Sequence, residues 1–377
     1  ANRLGCRRAT RAGILSDLFN DSRLPIGIAG TSGKSTVTGM VGWILHACGR
    51  VPTVMNGAVM KNFASPDAPF ASALVGDGAP FVSEVDESDG SIARYRPRIA
   101  VLNNVSLDHK SMDELRTLFA GFIAKAETAI VNIDNDEAAA LAAALPCERV
   151  HSFALDRPAD FAARDIVEET FGSRFTLCVG GNLMPATLQV PGRHNIANAL
   201  AAIAASLAAG VPLADAVAAI AEFAGLRRRF DLVGEARGVV VIDDFGHNPD
   251  KIAATLDTLH AFPGRILMLF QAHGYGPLKQ MRAELAAAFA DRMRDGDVLV
   301  MPDPVYFGGT VAREVTSADL IADIAAQGHD ARHIADRAAA AAALVAEART
   351  GDRIVVMGAR DDSLSQLAAG IVTALEV

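Results

Sequence analysis

The most specific chemistry in the chain lies in Gly27-Ile28-Ala29-Gly30-Thr31-Ser32-Gly33-Lys34-Ser35-Thr36. This run follows an apolar segment at 25–29 and opens a helical pattern from 35 to about 48, the strand–loop–helix setting of a phosphate-binding loop. Glycines let backbone N–H groups turn inward around phosphate oxygens, and the helix N-terminus adds partial positive charge. Gly30, Thr31, Ser32, Gly33 and Thr36 would line nucleotide phosphates there. The Lys34 ammonium would reach the β- and γ-phosphates, and the Ser35 hydroxyl would bind Mg²⁺. Ile28 stands where the common G-x-x-x-x-G-K-[ST] pattern has its first glycine. A glycine-rich turn without a ligand is the bland alternative, and Gly-Lys-Ser-Thr in this setting weighs against it. Such a loop predicts a nucleotide and leaves the reaction open.

Further polar residues recur at the ends of apolar runs: Glu84-Val85-Asp86-Glu87-Ser88-Asp89, Asn104 with Asp108-His109, and Asp243-Asp244. Taken singly, each has a plain structural reading. Glu84 and Asp86 read as solvated strand-end acids, His109 as part of a capping turn, Asn195 as a helix cap and Arg228-Arg229 as a solvated linker.

The elements that position these residues are short Val- and Ile-rich runs alternating with Ala- and Leu-rich helical segments, which predicts parallel sheets covered by helices. Strands are expected at 26–29, 81–84, 99–105 and 129–133, and again at 239–243, 266–270, 298–301 and 354–357. Helices are expected at 196–209 and 213–223, and an antiparallel ribbon between 161 and 190 turning at Gly180-Gly181-Asn182. The expected organisation is a linker helix at 1–24, a P-loop α/β domain at 25–226 and a Rossmann-like α/β domain at 227–377.

Composition narrows the class. Lys and Arg number 35 against 44 Asp and Glu, and the net charge of −9 disfavours a nucleic-acid surface. No apolar run reaches the ~20 residues of a membrane helix. No secretory signal is read at the start, and Cys6, Cys48, Cys147 and Cys178 lie far apart. That spacing fits neither a disulfide framework nor a zinc cluster and predicts a cytoplasmic enzyme.

Taken in order, the segments resemble the Mur ligase family. Gly30–Thr36 is similar to its shortened phosphate loop, and Glu84–Asp89 to the acidic strand end of the branch that adds alanine to UDP-N-acetylmuramate. Asn104 with Asp108-His109 resembles that family's Asn…Asp-His segment. Pro191-Gly192-Arg193-His194-Asn195-Ile196-Ala197-Asn198 resembles its Pro-Gly-(basic)-His-Asn-x-x-Asn stretch. Arg228-Arg229-Phe230-Asp231 with Gly234-Glu235, then Asp243-Asp244-Phe245-Gly246-His247-Asn248-Pro249, resemble the start of its C-terminal domain. The resemblance implies an ATP- and Mg²⁺-dependent amide ligase working through an acyl-phosphate. Its partners would be an amino acid and a UDP-sugar or peptide-like carboxylate acceptor.

The same resemblance implies roles for single residues. Glu84 would share one Mg²⁺ with Ser35, and His109 would hold a second. Asn195 would contact adenine, Arg229 would reach the phosphates when the domains close, and Asp244 would bind the nucleotide. His247 and His273 would face substrate.

Three departures bear on the substrate. The phosphate loop begins about 25 residues in, with 11–18 resembling only the segment that leads out of the family's UDP-binding domain, so a chain lacking that domain is expected. Phe270-Gln271-Ala272-His273 continues Gly274-Tyr275-Gly276-Pro277-Leu278, where the alanine-adding branch has Arg-Tyr-Ser-Arg-Thr. Gly or Pro cannot grip a carboxylate as arginine does, so Lys279 or Arg282 would have to compensate. Asn248 replaces a histidine, as in folylpolyglutamate and cyanophycin synthetases, which keeps those ligases open as an alternative. A nucleotide-binding regulator without turnover is the other, and Gly358-Ala359-Arg360-Asp361-Asp362 is left as a candidate substrate loop.

Overall fold

The structure is a computed structural model and describes residues 9–107, 110–305 and 313–376. It divides into two compact units, Ala1–Leu226 and Arg227–Val377.

In the first unit, strands β1 (Leu24–Ala29), β2 (Thr53–Met55), β3 (Ala73–Leu74), β4 (Pro80–Glu84), β5 (Ile99–Leu102), β6 (Thr128–Asn132), β7 (Val150–Ala154), β8 (Phe161–Glu169), β9 (Gly172–Val179) and β10 (Asn182–Leu188) form one sheet. Its order is β10-β9-β8-β7-β6-β5-β1-β4-β2-β3. The centre is parallel, and β3 and the β8-β9-β10 ribbon are antiparallel. Helices α1 (Arg11–Asn20), α2 (Lys34–Ala47), α3 (Met112–Ile123), α4 (Asp136–Ala142), α5 (Arg193–Ala208) and α6 (Leu213–Ile220) accompany it.

Strand β1 is buried on both faces, and its side chains alternate between two cores. Ile26 and Ile28 join Met40, Ile44 and Ile203 on one face; Ala29 joins Leu102, Phe119 and Phe122 on the other. Gly27 is required here, because a Cβ would stand 2.7 Å from Cζ of Phe122. The alanines of α5, buried from Ala201 to Ala205, leave its backbone free to lie close to its neighbours. Ser111 and Glu114 close a capping box at the start of α3.

In the second unit, β11 (Asp231–Ala236), β12 (Val239–Asp244), β13 (Ile266–Gln271), β14 (Val298–Met301), β15 (Asp330–His333) and β16 (Arg353–Gly358) run in the order β11-β12-β16-β13-β14-β15. Only β11 is antiparallel among these described strands. Helices α7 (Pro249–His260), α8 (Tyr275–Gln280), α9 (Arg282–Ala290), α10 (Ser317–Ala325), α11 (Arg337–Glu347) and α12 (Ser363–Glu376) complete it. The chain steps outward from β13 to β15, then returns through α11 to lay β16 between β12 and β13. The reversal makes the crevice outside the C-terminal ends of β13 and β16 a topological switch point, where such sheets bind ligands.

The α/β class and the antiparallel ribbon agree with expectation, and all eight expected strands are present with ends shifted by a few residues. The ribbon is no appendage: β8 pairs with β7 and prolongs the main sheet. Strands β2, β3, β7, β11 and β15 were not expected; β2 and β3 are very short, and β15, Asp-Ala-Arg-His, is polar at an edge. Among the described residues no helix is long and apolar enough to cross a membrane.

Candidate active site

In the first unit the register Ile28↔Glu84 sets the end of β4 beside the phosphate loop, and Ala29↔Leu102 sets the end of β5 on its other side. The loop is fixed chiefly by neutral amides. Asn104 accepts from the Thr31 hydroxyl and the Ser32 N–H at 2.8 Å each. Its amide, like that of Asn103, donates to the Ser32 carbonyl. Asn103 also donates to Asn198 at 2.9 Å, Asn198 donates to Asn195 at 3.1 Å, and Asn195 donates to the Pro191 carbonyl at 2.7 Å. Asn195, expected as a nucleotide contact, is thus buried in α5 and joined to the loop through two intervening amides.

Gly33 has φ +82° and Gly30 +138°, and a Cβ on Gly33 would stand 2.2 Å from Nδ2 of Asn103. The loop therefore has to be glycine at both positions.

Two acidic contacts face the loop's cation and hydroxyl. Lys34 donates to the Gly30 carbonyl at 2.7 Å and to both oxygens of Glu87 at 3.1 and 2.8 Å. Glu87 is 3% exposed, and burial raises its carboxyl above the ordinary value, against the pull of Lys34. Ser35 donates to Oε2 of Glu84 at 2.8 Å, and the Gly57 N–H approaches the same oxygen at 3.0 Å. A Cβ at Gly57 would stand 2.8 Å from that carboxylate and would require the Glu84 side chain to shift. Thr36 lies half-buried in the first turn of α2.

Ser35 and Glu84 offer hard oxygen ligands at the mouth of a phosphate loop, a donor set that suits Mg²⁺. Among the described residues no three His, Cys, Asp or Glu gather into a cage, consistent with an ion that keeps water and phosphate oxygens as ligands. His109 and Asp108 lie outside the described residues.

The second unit gathers a different chemistry at its strand ends. Asp244 accepts from the Phe230 N–H, the Gly246 N–H and the Thr255 hydroxyl at 2.9, 3.1 and 2.6 Å. Arg228 is buried, donates to the Gly358 carbonyl at 2.7 Å and Asp362 at 3.2 Å, and lies with Nε 3.6 Å from Asp243. That last separation is too long for a hydrogen bond. Burial lifts the Asp243 carboxyl to about 6, although Ser365 donates to it at 2.6 Å. Arg228 and Phe230 both have positive φ, +59° and +49°. Between them Arg229 stacks on Phe245, its guanidinium carbon 4.2 Å from the ring centre. Its Nη1 donates to the Arg228 carbonyl at 3.1 Å.

His247 bonds the Phe245 carbonyl through Nδ1 at 2.8 Å. A carbonyl only accepts, so Nδ1 carries the proton and Nε2 is left as an acceptor. Burial, helped by the charge of Lys251, pushes the ring down to about 3, so it is neutral at physiological pH. His273 stands edge-on to it at 5.1 Å. Asn248 accepts from the Lys251 N–H at 3.0 Å as the N-cap of α7, with Pro249 following at the first helical position. Its identity thus has a local cause, helix initiation.

Neither proposed substitute for the absent arginines is uncommitted. Lys279 is paired with Glu314, and Arg282 donates to Asp323 at 2.8 Å. A cluster that the sequence reading passed over sits at the switch point instead: Arg337 donates to Asp361 at 2.6 Å and to Gln271 at 3.2 Å, and Gln271 donates to Asp361 at 2.8 Å. Glu87, Asn198 and Asp243 were inside quoted segments without a role assigned. Arg337 opens an alanine-rich helix and gave no signal at all.

Known proteins share this arrangement. The profile of the Mur ligase middle domain matches residues 28–206, and that of the Mur ligase glutamate ligase domain matches residues 228–360. A UDP-N-acetylmuramate–L-alanine ligase of Geotalea uraniireducens is 34% identical over 359 residues, spanning 93% of this chain and 76% of the relative. The chain belongs to the Mur ligase family. It is accordingly an ATP-dependent, ADP-forming amide ligase. Two solved structures resemble this Mur ligase closely in fold. The UDP-N-acetylmuramate–alanine ligase of Thermotoga maritima superposes with a TM-score of 0.78 at 22% identity, covering 96% of this chain and 78% of the other. A murein peptide ligase of Psychrobacter arcticus gives 0.68 at 25% identity, covering 100% and 82%.

Proposed function

We propose that this Mur ligase joins an amino acid to the carboxylate of UDP-N-acetylmuramate, or of an acceptor built like it, with Mg²⁺ as the metal. The observation that carries the reading is the Ser35–Glu84 contact of 2.8 Å beside Lys34, in a chain 34% identical to a ligase named for that acceptor.

Transfer of a γ-phosphoryl group to a carboxylate brings several negative charges together, and the residues divide the work of offsetting them. Lys34 leaves Glu87 for the β- and γ-phosphates. Ser35 and Glu84 would hold the metal, which would supply further neutralisation of phosphate charge when bound. His109 is proposed for a second ion. Arg229 is proposed to offer its guanidinium to the phosphates and Asp244 to take part in nucleotide binding. Asn195 orients the loop through Asn198 and Asn103, and contacts adenine with its remaining lone pair. On the amine side, His247 presents a bare Nε2 that accepts a hydrogen bond from the incoming amine without taking its proton. His273 shields that face from water.

Mg²⁺-ATP turnover to ADP and phosphate across a grid of acceptors and amino acids tests the reading. The grid holds UDP-N-acetylmuramate, its peptides, folate and short acidic peptides, with Lys34→Ala as the blank. Phosphate release that requires UDP-N-acetylmuramate and one amino acid is the expected result. Release only with folate or an acidic peptide would move the chain to the folylpolyglutamate or cyanophycin type of ligase.

A further inference from the structure

We propose that Arg360 binds the α-carboxylate of the incoming amino acid and takes the place of the two arginines absent from the loop after β13. The proposal rests on the ligase reading above and adds a specificity-determining residue to it.

Four observations converge on this side chain. Arg360 has φ +59°, a conformation that costs an L-residue energy and glycine almost none. Such strain persists where the side chain is wanted. Arg360 is exposed, and among the described residues its guanidinium has no hydrogen-bond or ion-pair partner, while Arg228, Arg282 and Arg337 in the same unit are each tied to a carboxylate. Its position is two residues beyond Gly358, which pairs in register with Gln271 at the switch point. The segment 274–278 leaves the adjoining strand three residues beyond Gln271, so the two loops rise from neighbouring strand ends. Arg228 and Arg337 anchor the loop from both sides, through the Gly358 carbonyl and Asp362, and through Asp361. Anchoring of this kind fixes the backbone that carries Arg360, which lowers the entropic cost of binding.

The amino acid, rather than the acceptor, is the better match for this cation. Its carboxylate survives the reaction and needs a standing counter-charge, whereas the acceptor's carboxylate is consumed where the phosphate loop and its metal provide charge. His247, assigned above to the amine, lies just beyond β12, and β12 is the other neighbour of β16. One end of one sheet therefore offers an acceptor for the amine and a fork for the carboxylate.

The test compares the native chain with Arg360→Gly and Arg360→Lys. Glycine suits the backbone angle, so Arg360→Gly should melt at or above the native temperature, which removes misfolding as an explanation. Its KM for the amino acid should rise on the order of a hundredfold, since a charged hydrogen-bonded pair is lost, with KM for ATP and acceptor within about twofold of native. Arg360→Lys should recover about a tenth of the loss or more. The native chain should discriminate against the amino-acid amide, and Arg360→Gly should not. Calorimetric titration of L-alanine and L-alaninamide, or of the preferred amino acid and its amide, gives a reading independent of turnover. No amino-acid-dependent phosphate release by the native chain would sink the ligase reading. Carboxylate-independent binding by the native chain, an unchanged amino-acid KM in Arg360→Gly, or a rise confined to the acceptor would each overturn the role of Arg360.

Discussion

The phosphate loop and the strand ends of the second unit both collect polar side chains, yet they are built on opposite terms. The first spends its strained backbone on glycine, at Gly30 and Gly33, and ties it down with uncharged amides. The second places positive φ on Arg228, Phe230 and Arg360 and braces the segment with a buried cation, Arg228, set between buried Asp243 and exposed Asp362. A loop that wraps a polyanion needs its cations few and aimed, so neutral braces suit it. A unit that must present cations to smaller anions can carry the side chain on the strained residue itself.

Lys34→Ala breaks the first half of this comparison most severely. Turnover should fall by roughly a thousandfold or more, the scale of losing a charge aimed at a transferring phosphoryl group. The fold should survive, because Glu87, already raised by burial, can take a proton instead of remaining a buried unpaired anion. Phosphate release and a thermal melt on one preparation check both halves. A variant that unfolds at neutral pH would show the Lys34–Glu87 pair to be structural first.

Arg228→Met tests the second half. Asp243 and the Gly358 carbonyl would lose a buried partner, and breaking such a pair by removing one member costs about 3 kcal/mol or more. The loss, read by urea denaturation, should be larger at pH 8 than at pH 5. The Asp243 carboxyl titrates near 6, so it is neutral at the lower pH and has less need of the arginine. Equal losses at both values would place the arginine's worth in packing along its stem.

Gly33→Ala should cost about 1–3 kcal/mol through the positive φ and the 2.2 Å approach to Asn103, and it should abolish measurable ATP binding by calorimetry. A neutral result would mean the amide braces yield, and the contrast between the two regions would lose its basis.

The sequence read these regions unequally well, for physical reasons. A phosphate loop is contiguous, so Gly30 to Thr36 were legible from spacing, and the short Val- and Ile-rich apolar runs marked the buried strands. The braces are not contiguous: Asn103 meets Asn198 across 95 positions and Arg228 meets Gly358 across 130, contacts that only topology creates. Glu87 was visible as an acid but not as the partner of Lys34, because nothing in a six-residue acidic run says which member turns inward. Arg337 was hidden among alanines, since a helix start carries no record of what its first side chain reaches across the sheet.

The smallest expected effect separates His247 from Glu87 by their response to acid. His247 is held at about 3 against an ordinary 6.5, mainly by burial. Its folded-state value is depressed, so the unfolded chain binds the extra proton between these limits, and stability present above 6.5 is lost as pH falls toward 3. At pH 5.5 that amounts to about 1.4 kcal/mol by linkage. Glu87 in the first unit is shifted the other way, upward by burial. The folded form there binds the extra proton, and its contribution grows as pH falls. His247→Gln should therefore flatten the loss of stability between pH 7 and 5 by about 2 kcal/mol, measured as the pH dependence of the urea midpoint against the native chain. An unchanged slope would mean that His247 is solvated enough to titrate normally, and its Nε2 would then be protonated too readily to serve as a neutral acceptor for the amine.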